Sequence, residues 1–323
     1  MKIVNTHTGK IYVDNKRNLE FLTVGDYGKE KNIKADFLGL CKEINGVENS
    51  PVDLTKKWVA TISTQKGCPM KCKFCDCPSF GFYGNATAEE LEYEVRTILE
   101  GEAVEHTDRF NVHFARMGEP TLNPNVLDFA ANRLKPLVNR YVRANTIHPV
   151  VSTMLPKSNR NLEEFLFKWC DMKNNEYAGE AGLQFSINST DDGQRADQFS
   201  NMSLSLNDIS ALAQKLPMPK GRRYTLNFAV TSQTVLDAKR LSELFDKNKF
   251  IVKITPIHKT NSATTNGFDV TTSYTDYDVY RTFEQPLILE GWDVIVFVPS
   301  KEEDDDRITC GNALIYDKEK RYL

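Results

Sequence analysis

The sequence predicts an α/β fold organised as a partial (β/α)6 barrel. From Trp58 onward, short β-branched runs alternate with amphipathic helical stretches, and six such units follow one another. Parallel strands need crossover connections, usually helices, so this alternation implies a parallel sheet. The chain has 323 residues, 40% hydrophobic and 26% charged, enough for one substantial core. That composition excludes disordered, collagenous and disulfide-scaffold classes.

Residues 1–56 read as a small β-rich extension, with short strands at Lys10–Val13 and Leu19–Val24 and a turn at Gly25–Gly28. Residues 57–323 form the main unit. Its strands are expected at Trp58–Ser63, Phe110–Ala115, Pro149–Thr153, Gly182–Ile187, Tyr224–Val230 and Phe250–Pro256. Thr87-Ala88-Glu89-Glu90 is a capping box, and Leu91, Val95, Ile98 and Leu99 follow at one-face spacing, so a helix begins near Ala88. Leu162, Phe165, Leu166 and Trp169 form a second stripe, and Leu236, Leu241, Leu244 and Phe245 belong to another. The stripes read as core faces. Val294–Val298 reads as a further strand over an edge, and Glu302–Asp306 as a solvated loop.

The net charge of −3 offers phosphate no global attraction, so a nucleic-acid partner would need a local basic surface. No apolar run approaches the roughly 18 residues of a membrane helix. Met1-Lys2-Ile3-Val4-Asn5 lacks the apolar core of a signal peptide. The expectation is a cytoplasmic protein with no membrane partner. Of seven cysteines, four (Cys68, Cys72, Cys75, Cys77) fall within ten residues, which in a reducing compartment points to metal or redox chemistry.

Gly67-Cys68-Pro69-Met70-Lys71-Cys72-Lys73-Phe74-Cys75 spaces three cysteines as C-x3-C-x2-C directly after the first strand of the βα series. Three thiolates on one tight loop can hold three irons of a [4Fe–4S] cube and leave the fourth open. A zinc site and uncoordinated thiols are the alternatives, although no second Cys/His pair follows at zinc-finger distance. Cys75-Asp76-Cys77 leaves too little chain for Cys77 to reach the same cluster, so Cys77 is expected not to be a ligand. Cys77, Cys41 and Cys170 read as buried small apolar residues.

This loop, with Phe74 before the third cysteine, resembles the radical S-adenosylmethionine (SAM) superfamily. The resemblance extends to the branch that methylates adenine at C2 or C8 in ribosomal and transfer RNA. It is carried in order by Met117-Gly118-Glu119-Pro120-Thr121-Leu122-Asn123, Val151-Ser152-Thr153, Phe185-Ser186-Ile187-Asn188, Thr255-Pro256-Ile257-His258 and Cys310-Gly311-Asn312-Ala313-Leu314. What the resemblance implies is a [4Fe–4S] cluster on Cys68, Cys72 and Cys75, with SAM on its open iron and a 5′-deoxyadenosyl radical made by reductive cleavage. An electron donor such as flavodoxin or ferredoxin would serve that cleavage. Phe74, Gly118, Glu119, Ser152, Ser186, Asn188 and His258 would hold SAM, with Glu119 on its ammonium and His258 where the family has asparagine. Cys310 would be the catalytic residue: methylated by one SAM, its methyl group loses hydrogen to the radical from a second. The methylene radical then adds to an sp2 carbon.

The sequence departs from that branch at Thr61, where the family has a second cysteine seven residues before the first cluster ligand. A threonine supplies neither a thiolate base nor a disulfide; Cys77 and Cys41 are the thiols nearby in sequence. Residues 1–56 are short and not notably basic, and the acidic run before Cys310 would repel a phosphate backbone. Lys157, Arg160, Lys220, Arg222 and Arg223 form a modest basic patch. Three readings stay open: a methyltransferase using Cys310 on a nucleobase, in RNA or a nucleotide-like substrate; a radical SAM enzyme modifying a small molecule or peptide without Cys310 methylation; and a metal-stabilised binding module.

Overall fold

The computed structural model describes residues 1–24, 54–270, 274 and 276–314. The expected turn at Gly25–Gly28 and Cys41 lie outside the described residues.

Three antiparallel strands open the chain: β1 (Lys2–Asn5), β2 (Gly9–Asp14) and β3 (Leu19–Val24). β3 pairs antiparallel with β4 (Trp58–Ile62), the first barrel strand. A two-stranded ribbon, β5 (Gln65–Gly67) and β6 (Phe82–Asn85), brackets the cysteine loop. There follow α1 (Ala88–Glu100), β7 (His106–Phe114), α2 (Asn125–Asp128), α3 (Leu134–Tyr141), β8 (Arg143–Thr153), α4 (Leu162–Asn175) and β9 (Gly182–Ser186). The chain continues through α5 (Asp192–Gln198), α6 (Leu206–Lys215), β10 (Tyr224–Val230), α7 (Ala238–Leu244) and β11 (Phe250–Pro256). Last come α8 (Asn261–Thr265), α9 (Asp278–Leu289), β12 (Val294–Val296) and α10 (Lys301–Asp305).

One sheet runs β1-β2-β3-β4-β7-β8-β9-β10-β11-β12, and every pairing from β4 to β12 is parallel. This is the expected partial (β/α)6 barrel. The N-terminal strands continue its sheet at one edge, and β12 closes the other.

Periodicity explains which face each element buries. α1 starts at the capping box: Glu90 N donates to Thr87 Oγ1 and Thr87 N to Glu90 Oε2. Its stripe Leu91, Val95, Ile98 and Leu99 is fully buried. Between helices and sheet, Phe114 packs edge-on against Phe129 and Trp169, with centroids 6.2 and 6.0 Å away. A smaller apolar cluster, Ile11, Val13, Leu22, Val24, Val59 and Ile308, joins the N-terminal strands to the segment before Cys310.

The acidic run departs from its expected solvated loop. Ser300 caps a helix there through a capping box with Glu303, and Glu303 and Asp304 turn inward and are buried. Cap chemistry at Ser300 and inward partners for the carboxylates outweigh the bias of a charge run toward solvent.

Phe114 has no exposed surface. Phe114→Ala is expected to lower stability by about 3–5 kcal/mol, read as a fall in the urea midpoint.

Candidate active site

The cysteine loop leaves the C-terminal end of β4, the end of a barrel where catalytic groups collect. Its backbone is tied down from several directions. Cys68 N donates to Gly81 O at 3.0 Å, Lys73 N to Gln198 O at 2.9 Å, and Thr260 Oγ1 to Phe74 O at 2.8 Å. Asp76 N donates to Gly311 O at 3.0 Å, and the Asp76 carboxylate accepts from Ser262 N at 2.8 Å. Phe74 lies edge-on to Phe199 and Phe268. Met70, Met154 and Phe199 line one apolar side of the loop; Cys77, Met117 and Ala313 line the other.

Burial pushes the Cys68 thiol up to about 12, and Cys75 adds to the rise. Cys72 is raised by burial and then by Cys75 and Cys68, whereas a hydrogen bond from Cys77 lowers Cys75. The three sulfurs therefore feel one another in an apolar setting, and they ionise together only beside a positive partner, as an iron–sulfur cluster provides. Among the described residues no three His, Cys, Asp or Glu side chains are gathered around a single ion position. A cubane, whose thiolates sit at separate corners, does not require that gathering. Cys77 is buried, with Sγ 3.4 Å from Arg116 O. Cys170 is buried inside α4, as expected.

Gly118 and Glu119 meet this loop. Gly118 has φ +97°, and a Cβ there would lie 2.6 Å from the Gln65 Cβ. Glycine is required on both counts. Glu119 N donates to Gln65 Oε1 at 2.8 Å. Its buried carboxylate accepts from Thr121 N and Oγ1 (3.1 and 2.8 Å) and from Met154 N (3.0 Å). Burial raises this carboxyl and those donors pull it back.

Ser152 and Ser186 are half-buried on neighbouring strands; Ser152 Oγ accepts from Gln184 Nε2 at 3.2 Å. Asn188 is buried at φ +61°, and its Oδ1 accepts from Ala229 N at 3.2 Å. Arg195, 1% exposed, holds the carbonyls of Ser186, Ile187 and Met154 at 2.6, 2.5 and 3.2 Å, fixing the end of β9. His258 is oriented by Asp304, with Nδ1 to Oδ1 2.9 Å. Asp304 also accepts from Tyr274 Oη at 2.8 Å and from Thr309 Oγ1 at 2.5 Å. Burial opposes its charge, but His258 and these donors outweigh it and hold the carboxyl below its ordinary range.

Cys310 reaches the same mouth. A Cβ on Gly311 would lie 3.6 Å from Cys75 Cα and 3.7 Å from Cys75 Sγ, so the C-terminal segment rests directly on the cysteine loop. Cys310 itself is open to solvent, its Sγ 3.9 Å from Ala115 O. Buried Arg116 holds the segment, donating to Thr309 O (3.3 Å), Arg307 O (3.0 Å) and Asn312 O (2.8 Å). Its charge is met by Glu20 on β3, through Nε at 2.8 Å and through Nη2. Thr61 lies on β4 beside Leu22 and His113. The structure thus brings Cys68, Cys72, Cys75, Gly118, Glu119 and Cys310 into one mouth. Arg116, Glu20 and Asp304 were not foreseen; the one sequence signal for Arg116 is its place just before Met117-Gly118-Glu119.

Residues 62–203 match the Radical SAM superfamily, and this stretch is a radical SAM domain, a unit that works with a [4Fe–4S] cluster and SAM. Among curated relatives, the chain is 28% identical over 231 residues to the "Probable dual-specificity RNA methyltransferase RlmN" of Thermotoga petrophila, covering 69% of this chain and 62% of that one. It is 24% identical over 264 residues to the "Dual-specificity RNA methyltransferase RlmN" of Sorangium cellulosum, covering 79% and 61%. The chain therefore spans about three-fifths of the length of these relatives. A radical SAM methyltransferase from Sphaerobacter thermophilus shares the fold, with TM-score 0.63 and 18% identity over 97% of this chain and 80% of that one.

Two outcomes test these contacts. Arg116→Met strands a buried Glu20 carboxylate and should cost about 3–5 kcal/mol in denaturant unfolding, partly recovered in the double variant with Glu20→Gln. Asp304 has a lowered folded pKa, so its stabilisation is present above the ordinary carboxylate range and is lost as pH falls through the folded value. Asp304→Asn should be less stable than the parent at neutral pH, and the gap between their melting temperatures should close on acidification.

Proposed function

We propose that this chain is a radical SAM methyltransferase in which Cys310 carries the methyl group to an sp2 carbon of a nucleobase. The observation that carries this reading is the seating of the Cys310 segment on Cys75, whose loop lies inside the stretch that matches the radical SAM superfamily. Cys68, Cys72 and Cys75 would hold the cluster. Phe74, Gly118, Glu119, Ser152, Ser186, Asn188 and His258 would bind SAM. When bound, the cluster and SAM supply the methyl group and a one-electron route to a carbon radical.

The chain's own groups do the positioning. Glu119 presents a buried carboxylate to an ammonium, a charge-assisted contact strengthened by low local dielectric. Arg116 and Asp304 hold the backbone and side chain of residue 309, which fixes where the next residue's sulfur swings. Met70, Met154 and Phe199 exclude water from one side of the loop. Asp304 fixes the His258 ring, which would contact SAM. A reduced cluster would need an electron donor such as flavodoxin or ferredoxin and a reducing compartment, which supports the reading of a cytoplasmic protein. Among the described residues no helix is long and apolar enough to cross a membrane. The relatives' printed names, dual-specificity RNA methyltransferases, support RNA as the substrate. Where the family pattern has a resolving cysteine, Thr61 stands instead, and Cys77, the described thiol beside the cluster loop, is buried.

Cys310→Ala should still cleave SAM to 5′-deoxyadenosine but transfer no methyl group, and the parent isolated with an intact cluster should carry an added methyl mass on the Cys310 peptide. An unmodified Cys310 peptide, or methyl transfer by the variant, refutes the carrier role. Cys77→Ala should keep the parent's iron content; a loss of roughly one cluster per chain would make Cys77 a ligand.

A further inference from the structure

Asp76 directly follows Cys75 and is 2% exposed. It precedes a short turn over Cys77–Phe80, a place where aspartate usually caps, yet its side chain makes no cap bond there. The carboxylate is spent elsewhere. Oδ1 accepts from Ser262 N at 2.8 Å and Oδ2 from Asn261 N at 3.3 Å, both at the start of α8. Arg307 Nη2 lies 3.6 Å from the same Oδ2, an ion pair whose side chains are 19% and 3% exposed. On its backbone side, Asp76 N donates to Gly311 O at 3.0 Å.

Two residues that flank Cys310 are therefore held by one. Arg307, three positions before the sulfur, meets the Asp76 carboxylate, and Gly311, one position after it, meets the Asp76 amide. Arg307 has φ +59°, a left-handed conformation that a non-glycine residue keeps only where its surroundings hold it. Arg116 grips its carbonyl and Asp76 its guanidinium, so it is clamped at both ends. At Gly311, where φ is +85°, a Cβ would lie 3.5 Å from Thr260 Cγ2 as well as against Cys75. Thr260 caps α8 and donates to Phe74 O. The start of α8, the cysteine loop and the Cys310 segment thus meet at Asp76. Arg116 and Glu20 tie that segment to the N-terminal strands; Asp76 ties it to a residue with which it shares a peptide bond, Cys75. Ligation orders the chain around its ligands, and whatever fixes Cys75 also fixes Asp76.

We infer that Asp76 is a positioning residue that couples the cluster loop to the Cys310 segment, so that ligation at Cys75 seats the carrier sulfur. The coupling rests on the proposed cluster ligation by Cys68, Cys72 and Cys75 and on Cys310 as methyl carrier. It makes the position of the carrier conditional on a loaded loop: without ligation, the two flanks of Cys310 lose a fixed anchor together.

Hydrogen–deuterium exchange of the peptide spanning residues 307–314, read by mass spectrometry in cluster-loaded and cluster-stripped protein, tests this coupling. In the parent, loading should slow exchange by roughly tenfold or more, the scale of a few charge-assisted bonds. Asp76→Asn keeps the shape and an acceptor for Ser262 N but removes the charge that meets Arg307. Loaded Asp76→Asn should hold the parent's iron content yet exchange like stripped parent, and its ratio of Cys310 methylation to 5′-deoxyadenosine formation should fall roughly tenfold. Arg307→Met should reproduce both effects, and the double variant should be no worse than either single one, because the two act through one contact.

Equal exchange in loaded and stripped parent would overturn the inference. So would Asp76→Asn speeding exchange by the same factor in both forms, which is what a merely structural role gives, or losing its iron, or leaving the ratio unchanged. Arg307→Met, altered outside the cysteine loop, decides the matter if Asp76→Asn does not fold. An unmethylated Cys310 with the expected exchange would refute the carrier reading alone; a methylated Cys310 whose segment exchanges alike in both forms would refute this inference alone.

Discussion

The buried pair of Arg116 and Glu20 ties together three parts of the chain that are distant in sequence. Glu20 comes from the N-terminal strands, Arg116 from the turn after β7, and the carbonyls of Arg307, Thr309 and Asn312 from the segment that carries Cys310. A buried guanidinium is stable only when its donors and charge are both met. Here one carboxylate and three carbonyls meet them, and Leu314 N adds a bond to Glu20 Oε1 at 3.1 Å. The N-terminal strands are thereby a bed for the C-terminal segment. Ile308 is seated among their apolar side chains, and Thr8 N and Oγ1 donate to Asp306 at 3.0 and 2.8 Å.

The same logic governs the acidic stretch. Five acidic residues in a row suggest repulsion from one another and from any phosphate. Helix formation splits them between two faces: Asp304 turns in to His258, Thr309 and Tyr274, Glu303 caps Ser300, and Asp305 pairs outward with Lys301 at 2.9 Å. Charges that looked like a barrier to substrate become internal struts of the site. The mouth then holds thiols and a carboxylate in an apolar frame.

Much of this was legible from spacing alone. Strand–helix alternation implied the parallel barrel because crossovers leave few other topologies. The Thr87 capping box set the start of α1, and C-x3-C-x2-C set the cluster loop, since three ligands within eight residues can only converge locally. Period-two and helical patterns are local properties, and local steric and hydrogen-bond preferences decide them. Three strands began or ended a few residues from their expected bounds: β7 extends back to His106, β8 back to Arg143, and β12 stops at Val296. Strand ends are set by pairing with neighbours, a nonlocal matter.

The residues themselves determined the barrel, the cysteine loop, the buried helical stripes and the candidacy of Glu119 and Cys310. Tertiary structure alone decided that Glu20 and Arg116 hold the Cys310 segment, that Asp304 is buried beside His258, and that Ser186, Asn227 and Lys253 share a row across β9, β10 and β11. Each of these joins groups from separate strands or from opposite ends of the chain. Such a contact has no period or spacing to announce it, because its energy arises only when folding removes both partners from water.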